Sequence, residues 1–289
     1  MLKFTVLGVF QGGTYGLLAV GLALVYKGTR TFNFAQGEFG TVAAYVTFAL
    51  FANARLPYGV AVLIALVCAV LLGLLVERAV VRPLLNAPRL TLLVATVGVA
   101  LFIIAAEIIL AEIFPRVLPP ALPGDPLYIF GAGVMPQQFL VLGVLMALAG
   151  LLAMFFRTTR GLAVLATSQD PLATRTVGIS VKGMSRFIWG SAALLGGIAG
   201  ILQAPVAGVF QPGFMTTGAL IPAFTAAVLG GMTSLPGAFI GGELIGIAQA
   251  VGAYGLQKAG VPGAADLAVF SLLLVILLAR PQGLLGKEA

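Results

Sequence analysis

Apolar residues fall along this chain in windows of about 20, the helix length that crosses about 30 Å of hydrocarbon. The windows lie at 5–26, 38–53, 58–76, 90–111, 138–156, 187–208, 218–233, 236–255 and 265–279. The least regular stretch is 218–255, where Gly230-Gly231 and Pro236-Gly237 interrupt the pattern. It reads either as two spans or as one span and a re-entrant piece, so eight or nine transmembrane helices are expected. The second window is short. Its apolar run, Phe39 to Ala52, covers only about 21 Å as helix. Either the helix starts deeper, or the polar residues before it, Asn33 to Glu38, enter the membrane as irregular backbone. Such backbone is tolerated only inside protein or beside a water-filled path. The expected fold class is an all-α polytopic integral membrane protein and a single transmembrane domain over 1–289, with a broken second span and inverted repeats left open.

Composition supports lipid as the solvent. Hydrophobic residues make up 60% of the chain and charged residues 9%, against about 25% charged in a soluble domain. The 38 glycines fit membrane helices that approach closely. A net charge of +7 reads here as the positive-inside bias and not as a nucleic-acid surface. There is no histidine and one cysteine, Cys68, which removes disulfides, His-based metal sites and Ser-His-Asp triads. The first apolar run is too long for a signal peptide and reads as an uncleaved span.

Basic residues orient the spans. With 157–186 in the cytoplasm, 12 Lys and Arg fall inside, Arg280 and Lys287 among them, and 4 fall outside: Lys3, Arg55, Arg116 and Lys258. The N-terminus is then outside and the C-terminus inside. The Pro-rich connection 112–137 is outside and cannot be a regular helix.

No G-x-x-x-x-G-K-[ST] phosphate loop occurs, so ATP hydrolysis by that route needs another subunit. Gly8, Gly12 and Gly16, then Gly196 and Gly200, then Gly237, Gly241, Gly242 and Gly246 form small-residue stripes suited to close packing, within the chain or between subunits. In 157–186, residues 161–168 suit two helical turns. Asp170 suits an N-cap before Pro171, and Gly178 suits the left-handed close of a short helix over 171–177. These helices suit either a docking element or an interfacial position on anionic lipid. Two carboxylates fall within spans. Glu107 lies a turn from a span end, which predicts contact with interfacial solvent. Glu243 lies deeper, either lining the path or bonded to a neighbouring helix. Phe34-Ala-Gln-Gly-Glu-Phe39 weakly echoes Phe210-Gln-Pro-Gly-Phe214. The alternation puts the two on opposite sides, as inverted repeats require, but so short an echo is expected by chance.

Several motifs together resemble the branched-chain amino-acid ABC transporter permease family, the LivH type. They are Gly12-Gly-Thr-Tyr-Gly-Leu17, Thr29-Arg-Thr-Phe-Asn-Phe-Ala-Gln-Gly-Glu-Phe39, Arg82-Pro-Leu84, the segment Gly161 to Ile179, Leu229-Gly-Gly231, Ser234-Leu-Pro-Gly-Ala238, Gly241-Gly242 and Arg280-Pro-Gln-Gly-Leu284. The resemblance covers essentially the whole chain. It implies a transport subunit of the bacterial cytoplasmic (inner) membrane with no catalytic residue of its own. It also implies a second, LivM-like permease subunit, two LivG/LivF-like ATPase subunits that use ATP, and an extracytoplasmic solute-binding protein. No cofactor, metal or nucleic acid is expected on this chain, and membrane lipid surrounds it. The 161–179 segment matches the family's ATPase-docking loop, so Ala166, Gln169, Asp170 and Gly178 are the coupling candidates. Asn33, Gln36, Glu38 and Glu243 are the translocation-path candidates. The chain departs from the family at Gln36, often His there, and at Leu165, often Arg. These departures leave a urea or short-amide importer of the same family open. A stand-alone secondary transporter or channel would need several mid-membrane carboxylates, and Glu243 is the one fair candidate. A membrane enzyme finds no paired acid and base.

Overall fold

The computed structural model describes residues 1–85, 87–111, 114–258, 260–279 and 282–285. Arg280, Pro281 and Lys287, used above for motif and charge, lie outside them. Helix α1 runs Leu2–Thr29 and is buried from Gly12 to Val25. Helix α2, Gln36–Phe48, ends in a π-helical turn, Ala49–Asn53. Helix α3, Tyr58–Val76, continues through a similar turn, Glu77–Val81. Helix α4 is Arg89–Ala111. A short antiparallel hairpin, β1 Leu127–Ile129 with β2 Ala132–Val134, precedes α5, Pro136–Phe155. Then come α6 Thr159–Gln169, α7 Pro171–Thr176, α8 Val181–Ala207, α9 Phe214–Gly218, α10 Leu220–Gly230, α11 Leu235–Lys258 and α12 Ala264–Ala279.

Six of these helices are long and apolar enough to cross a membrane, and Leu220–Gly230 and Ala264–Ala279 are shorter apolar helices. The 218–255 stretch therefore contains two helices. Gly231 turns between them at φ 89, a conformation glycine adopts without penalty. The outward faces are apolar, with Phe102 75%, Ile109 79% and Leu278 78% exposed. Such faces need lipid or another subunit against them.

Helices α1 and α8 pack against each other at the centre of the bundle. Helices α2 and α3 pack on α8 and on each other, while α10 and α11 pack on α1 and on each other. Helix α4 meets α2, and α12 meets α10. Exchanging α1 with α8, α2 with α10, α3 with α11 and α4 with α12 leaves this pattern unchanged. The chain is thus a four-helix unit used twice. The single segment α5 between the units makes the second run in the opposite sense, which is an inverted repeat. The echo between 34–39 and 210–214 falls at equivalent breaks of the two units. Both segments turn the chain inside the bundle.

The glycine stripes are internal seams. A Cβ on Gly12 would come 2.7 Å from the Glu243 Cα, and one on Gly8 would come 2.6 Å from the Ile247 Cα. Gly40 of α2 and Gly200 of α8 likewise meet backbone to backbone. Close approach of this kind lets helices pack without a hydrophobic driving force. The residues after α12 turn back: Leu284 and Leu285 donate their N–H groups to the Leu229 and Gly230 carbonyls at 2.7 and 3.2 Å. This satisfies carbonyls that the end of α10 leaves without helical partners.

Candidate functional site

The chain leaves α1 through Arg30, held at φ 54, and re-enters the bundle as irregular backbone over 30–35. Lipid offers this stretch no hydrogen bonds, so the protein supplies them. The Asn33 Oδ1 accepts from the Ala35 N–H at 3.0 Å, and the Thr96 hydroxyl on α4 accepts from the Phe34 N–H at 3.2 Å. The Asn33 Nδ2 donates to the Gln36 Oε1 at 3.2 Å, and the Gln36 Nε2 donates to the Ala192 carbonyl of α8 at 2.8 Å. Asn33, Gln36 and Glu38 are all fully buried. Helix α2 therefore starts in the interior, beside Gly21 of α1 and Gly196 of α8. Of the two alternatives left open for the second span, the chain shows irregular backbone over 30–35 before a helix that begins at Gln36.

The second break enters from the opposite end of the bundle. Phe210 exchanges two backbone hydrogen bonds of 2.9 Å with Arg116 of the 112–135 connection. Gly213 takes φ 74 at the start of α9 and donates its N–H to the Glu107 Oε2 at 2.9 Å. The Met215 N–H points at the Thr41 hydroxyl at 3.4 Å. Gly37 packs directly on Thr216. So the start of α2 and the short helix α9 abut in the core, with Glu38, Thr41, Glu107 and Thr216 gathered around the contact. Neither carboxylate oxygen of Glu38 has a donor within hydrogen-bond geometry among the described residues, and its side chain faces Glu107 and Thr216.

Glu107 corrects the expectation of interfacial solvent. It is 6% exposed and ties α4 to the second break. Its distance along the chain from the end of α4 misled, because 114–118 and 208–214 fold over that end. Glu243 stands apart. It faces Gly12 on the α1–α11 seam, about 14 Å along α1 from Gly21, where Gln36 packs. Its carboxylate oxygens have no hydrogen-bond partner among the described residues, so it does not bond a neighbouring helix.

Sequence reasoning missed Thr41, Glu107, Gly213 and Thr216 at this contact. The echo of 34–39 in 210–214 was the signal that could have found the second break. It also missed a polar cluster on α1: Thr14 donates to the Gln203 Oε1 at 2.6 Å, Gln11 to the Tyr15 hydroxyl at 3.1 Å, and Tyr15 to Gln249. Beside Glu107, a cavity of about 600 Å³ lies against α2, α3 and α4, lined by Tyr45, Asn53, Phe102 and Arg116 among others.

The coupling candidates come together at the end of the bundle where α5 ends and α8 begins. Thr158 caps α6, accepting from the Gly161 N–H at 3.2 Å. The Asp170 N–H closes α6 on the Ala166 carbonyl at 3.0 Å, and its Oδ1 starts α7 by accepting from the Ala173 N–H at 3.0 Å. Gly178, at φ 82, donates to the Arg175 carbonyl, and Ile179 donates to the Thr174 carbonyl. These two bonds make the glycine-closed Schellman end expected from sequence. Gln169 lies at the junction of α6 and α7.

An inverted repeat of apolar helices with two breaks meeting inside defines a multi-pass membrane permease. The fold is similar to a chain in the solved structure of PsaBC from Streptococcus pneumoniae in complex with Fab. The TM-score is 0.51 at 15% identity, covering 96% of this chain and 92% of that one. Residues 4–278 match the family described as branched-chain amino acid transport system / permease component, and the chain belongs to that family. Among its relatives is the high-affinity branched-chain amino acid transport system permease protein BraD of Pseudomonas aeruginosa, 33% identical over 97% of this chain and 94% of that protein. Another is the corresponding LivH protein of Escherichia coli, also 33% identical over 97% of this chain and 94% of that protein.

Proposed function

We propose that this chain is one of two permease subunits of an ABC importer in the bacterial cytoplasmic membrane, carrying branched-chain or related amino acids inward. Its partners are a second, LivM-like permease, two LivG/LivF-like ATPases that bind and hydrolyse ATP, and an extracytoplasmic solute-binding protein. The chain itself catalyses no reaction. The observation that carries the reading is the meeting of the two broken segments at Gly37 and Thr216. In inverted-repeat transporters, broken helices from the two repeats build the path, and one repeat moves against the other to open alternate sides. Asn33 and Gln36 hold the break of α2, and Glu38 borders the route. The names of the relatives support the solute class. Helices α6 and α7 are the coupling element. Val177, 72% exposed, and Leu162, 54% exposed, give an ATPase an apolar surface to grip. The test is reconstitution of the chain with a partner permease, ATPase pair and binding protein from its own genome, followed by uptake of radiolabelled leucine. ATP-dependent uptake requiring every component is expected. Uptake by this chain without the ATPases would sink the proposal.

A further inference from the structure

The end of the bundle that carries α6 and α7 holds a second polar cavity of about 380 Å³, away from the contact of the two breaks. Its walls come from the end of α1, the connection between α3 and α4, the coupling helices and the first turns of α8. Three of the lining side chains are arginines: Arg30, Arg89 and Arg175. No acidic residue lines it among the described residues, and the one ion pair found among those residues, Arg82 with Glu77 at 2.8 Å, uses a different arginine. Ser185 also lines the cavity. It is 4% exposed, and its hydroxyl has no hydrogen-bond partner among the described residues. Leu84, Leu85 and Leu92 form an apolar wall beside these groups.

Three arginines lining one space bring like charges near one another, a repulsion that an anion among them relieves. Their planar forks match the oxygens of a phosphate group. The depth of the cavity narrows the choice. Helix α1 ends at Thr29, α4 begins at Arg89 and α8 begins at Val181, so the cavity lies at the level where membrane helices end and lipid headgroups sit. We propose that it binds the headgroup of an anionic phospholipid, with the phosphate held by Arg30, Arg89 and Arg175 and the first carbons of the lipid against Leu84 and Leu85. A free phosphate would satisfy the arginines but leave the leucine wall uncovered. The walls include α1, α4 and α8 as well as α6 and α7, so a partner protein that grips only α6 and α7 would leave much of the cavity uncovered. A lipid here would tie Arg175 on the coupling segment to the transmembrane helices. The inference does not depend on which solute is carried.

The test is thermal unfolding of the full chain in detergent, titrated with phosphatidylglycerol, phosphatidylcholine or inorganic phosphate. Phosphatidylglycerol is expected to raise the midpoint of the natural chain and of an Arg157→Gln control, while the other two additions leave it unchanged. The Arg89→Gln, Arg175→Gln double variant should lose apparent affinity by about fivefold for each arginine removed. An undiminished response in that variant overturns the proposal, as does inorganic phosphate matching the lipid. Loss of ATPase binding by the variant with unchanged lipid response would assign the arginines to a protein contact instead and also overturns it. Should the variant fail to fold, native mass spectrometry of the natural chain from equal phosphatidylglycerol and phosphatidylcholine decides. Selective phosphatidylglycerol adducts are expected, and equal adducts refute the site.

Discussion

Glu38 and Glu107 reach the same point from α2 and α4, and each has a different hold on it. Glu107 accepts the Gly213 N–H at 2.9 Å and so fixes the second break. Glu38 is fully buried, faces Thr216 and Glu107, and its carboxylate oxygens find no partner in strict hydrogen-bond geometry among the described residues. A buried polar group without partners costs free energy, which favours the proposal that Glu38 acts in transport more than as static scaffold. Glu38→Gln keeps the shape and leaves the Asn33–Gln36–Ala192 chain of hydrogen bonds intact. Assembly of the complex is expected to be unchanged. Uptake should fall roughly tenfold, the rate equivalent of about 1.4 kcal/mol. Uptake assays beside quantified membrane expression check this, and normal uptake would leave Glu38 without a role in transport.

At the scale of elements, α6 and α7, the proposed coupling segment, were legible because their signals are local. Asp170 and Gly178 act on backbone within four residues of themselves, so their chemistry could be read without knowing any partner. Gly178→Val forces a β-branched residue to φ 82, at a cost of about 1–2 kcal/mol, and should unwind the end of α7. The expected outcome is a complex that assembles but whose ATPase no longer responds to the loaded binding protein. Gly150→Ala, in α5 where an added Cβ meets nothing within 4 Å, should behave as the natural chain. Normal stimulated ATPase in the Gly178→Val complex would remove the coupling role of this turn. Spans were legible for the same reason: the 58–76 and 265–279 windows lie within a residue of α3 Tyr58–Val76 and α12 Ala264–Ala279. The α2 break was visible as a span too short for the bilayer. The α9 break was not, because 209–217 reads as an ordinary connection between the 187–208 and 218–233 windows.

For the whole molecule, 114–135 precedes α5 and 157–186 follows it, so the two connections lie at opposite ends of that helix. The 12-to-4 division of basic residues predicts an orientation with 157–186 in the cytoplasm. In intact cells an impermeant thiol reagent should label Gly124→Cys and spare Ser168→Cys, each built on a background in which Cys68 is replaced by Ser. Labelling of position 168 alone would invert the orientation and, with it, the side on which α6 and α7 could meet an ATPase.

The sequence by itself determined the solvent, the number and limits of most spans, the family and the caps of the coupling helices. Each of these depends on composition, or on interactions within a few residues of one another. Only the tertiary structure decided that Glu107 is interior, that the glycine stripes are seams between α1 and α11 and between α2 and α8, and that the two breaks meet at Gly37 and Thr216. It also decided that Arg30, Arg89 and Arg175 share one cavity. These facts join residues far apart in the chain, as the seam contact of Gly8 with Ile247 does across 239 positions. Apolar helices do not specify their neighbours through hydrophobicity, since lipid satisfies an apolar face as well as another helix does. Partner choice rests on close backbone contacts and on buried hydrogen bonds, and both exist only once the helices have packed.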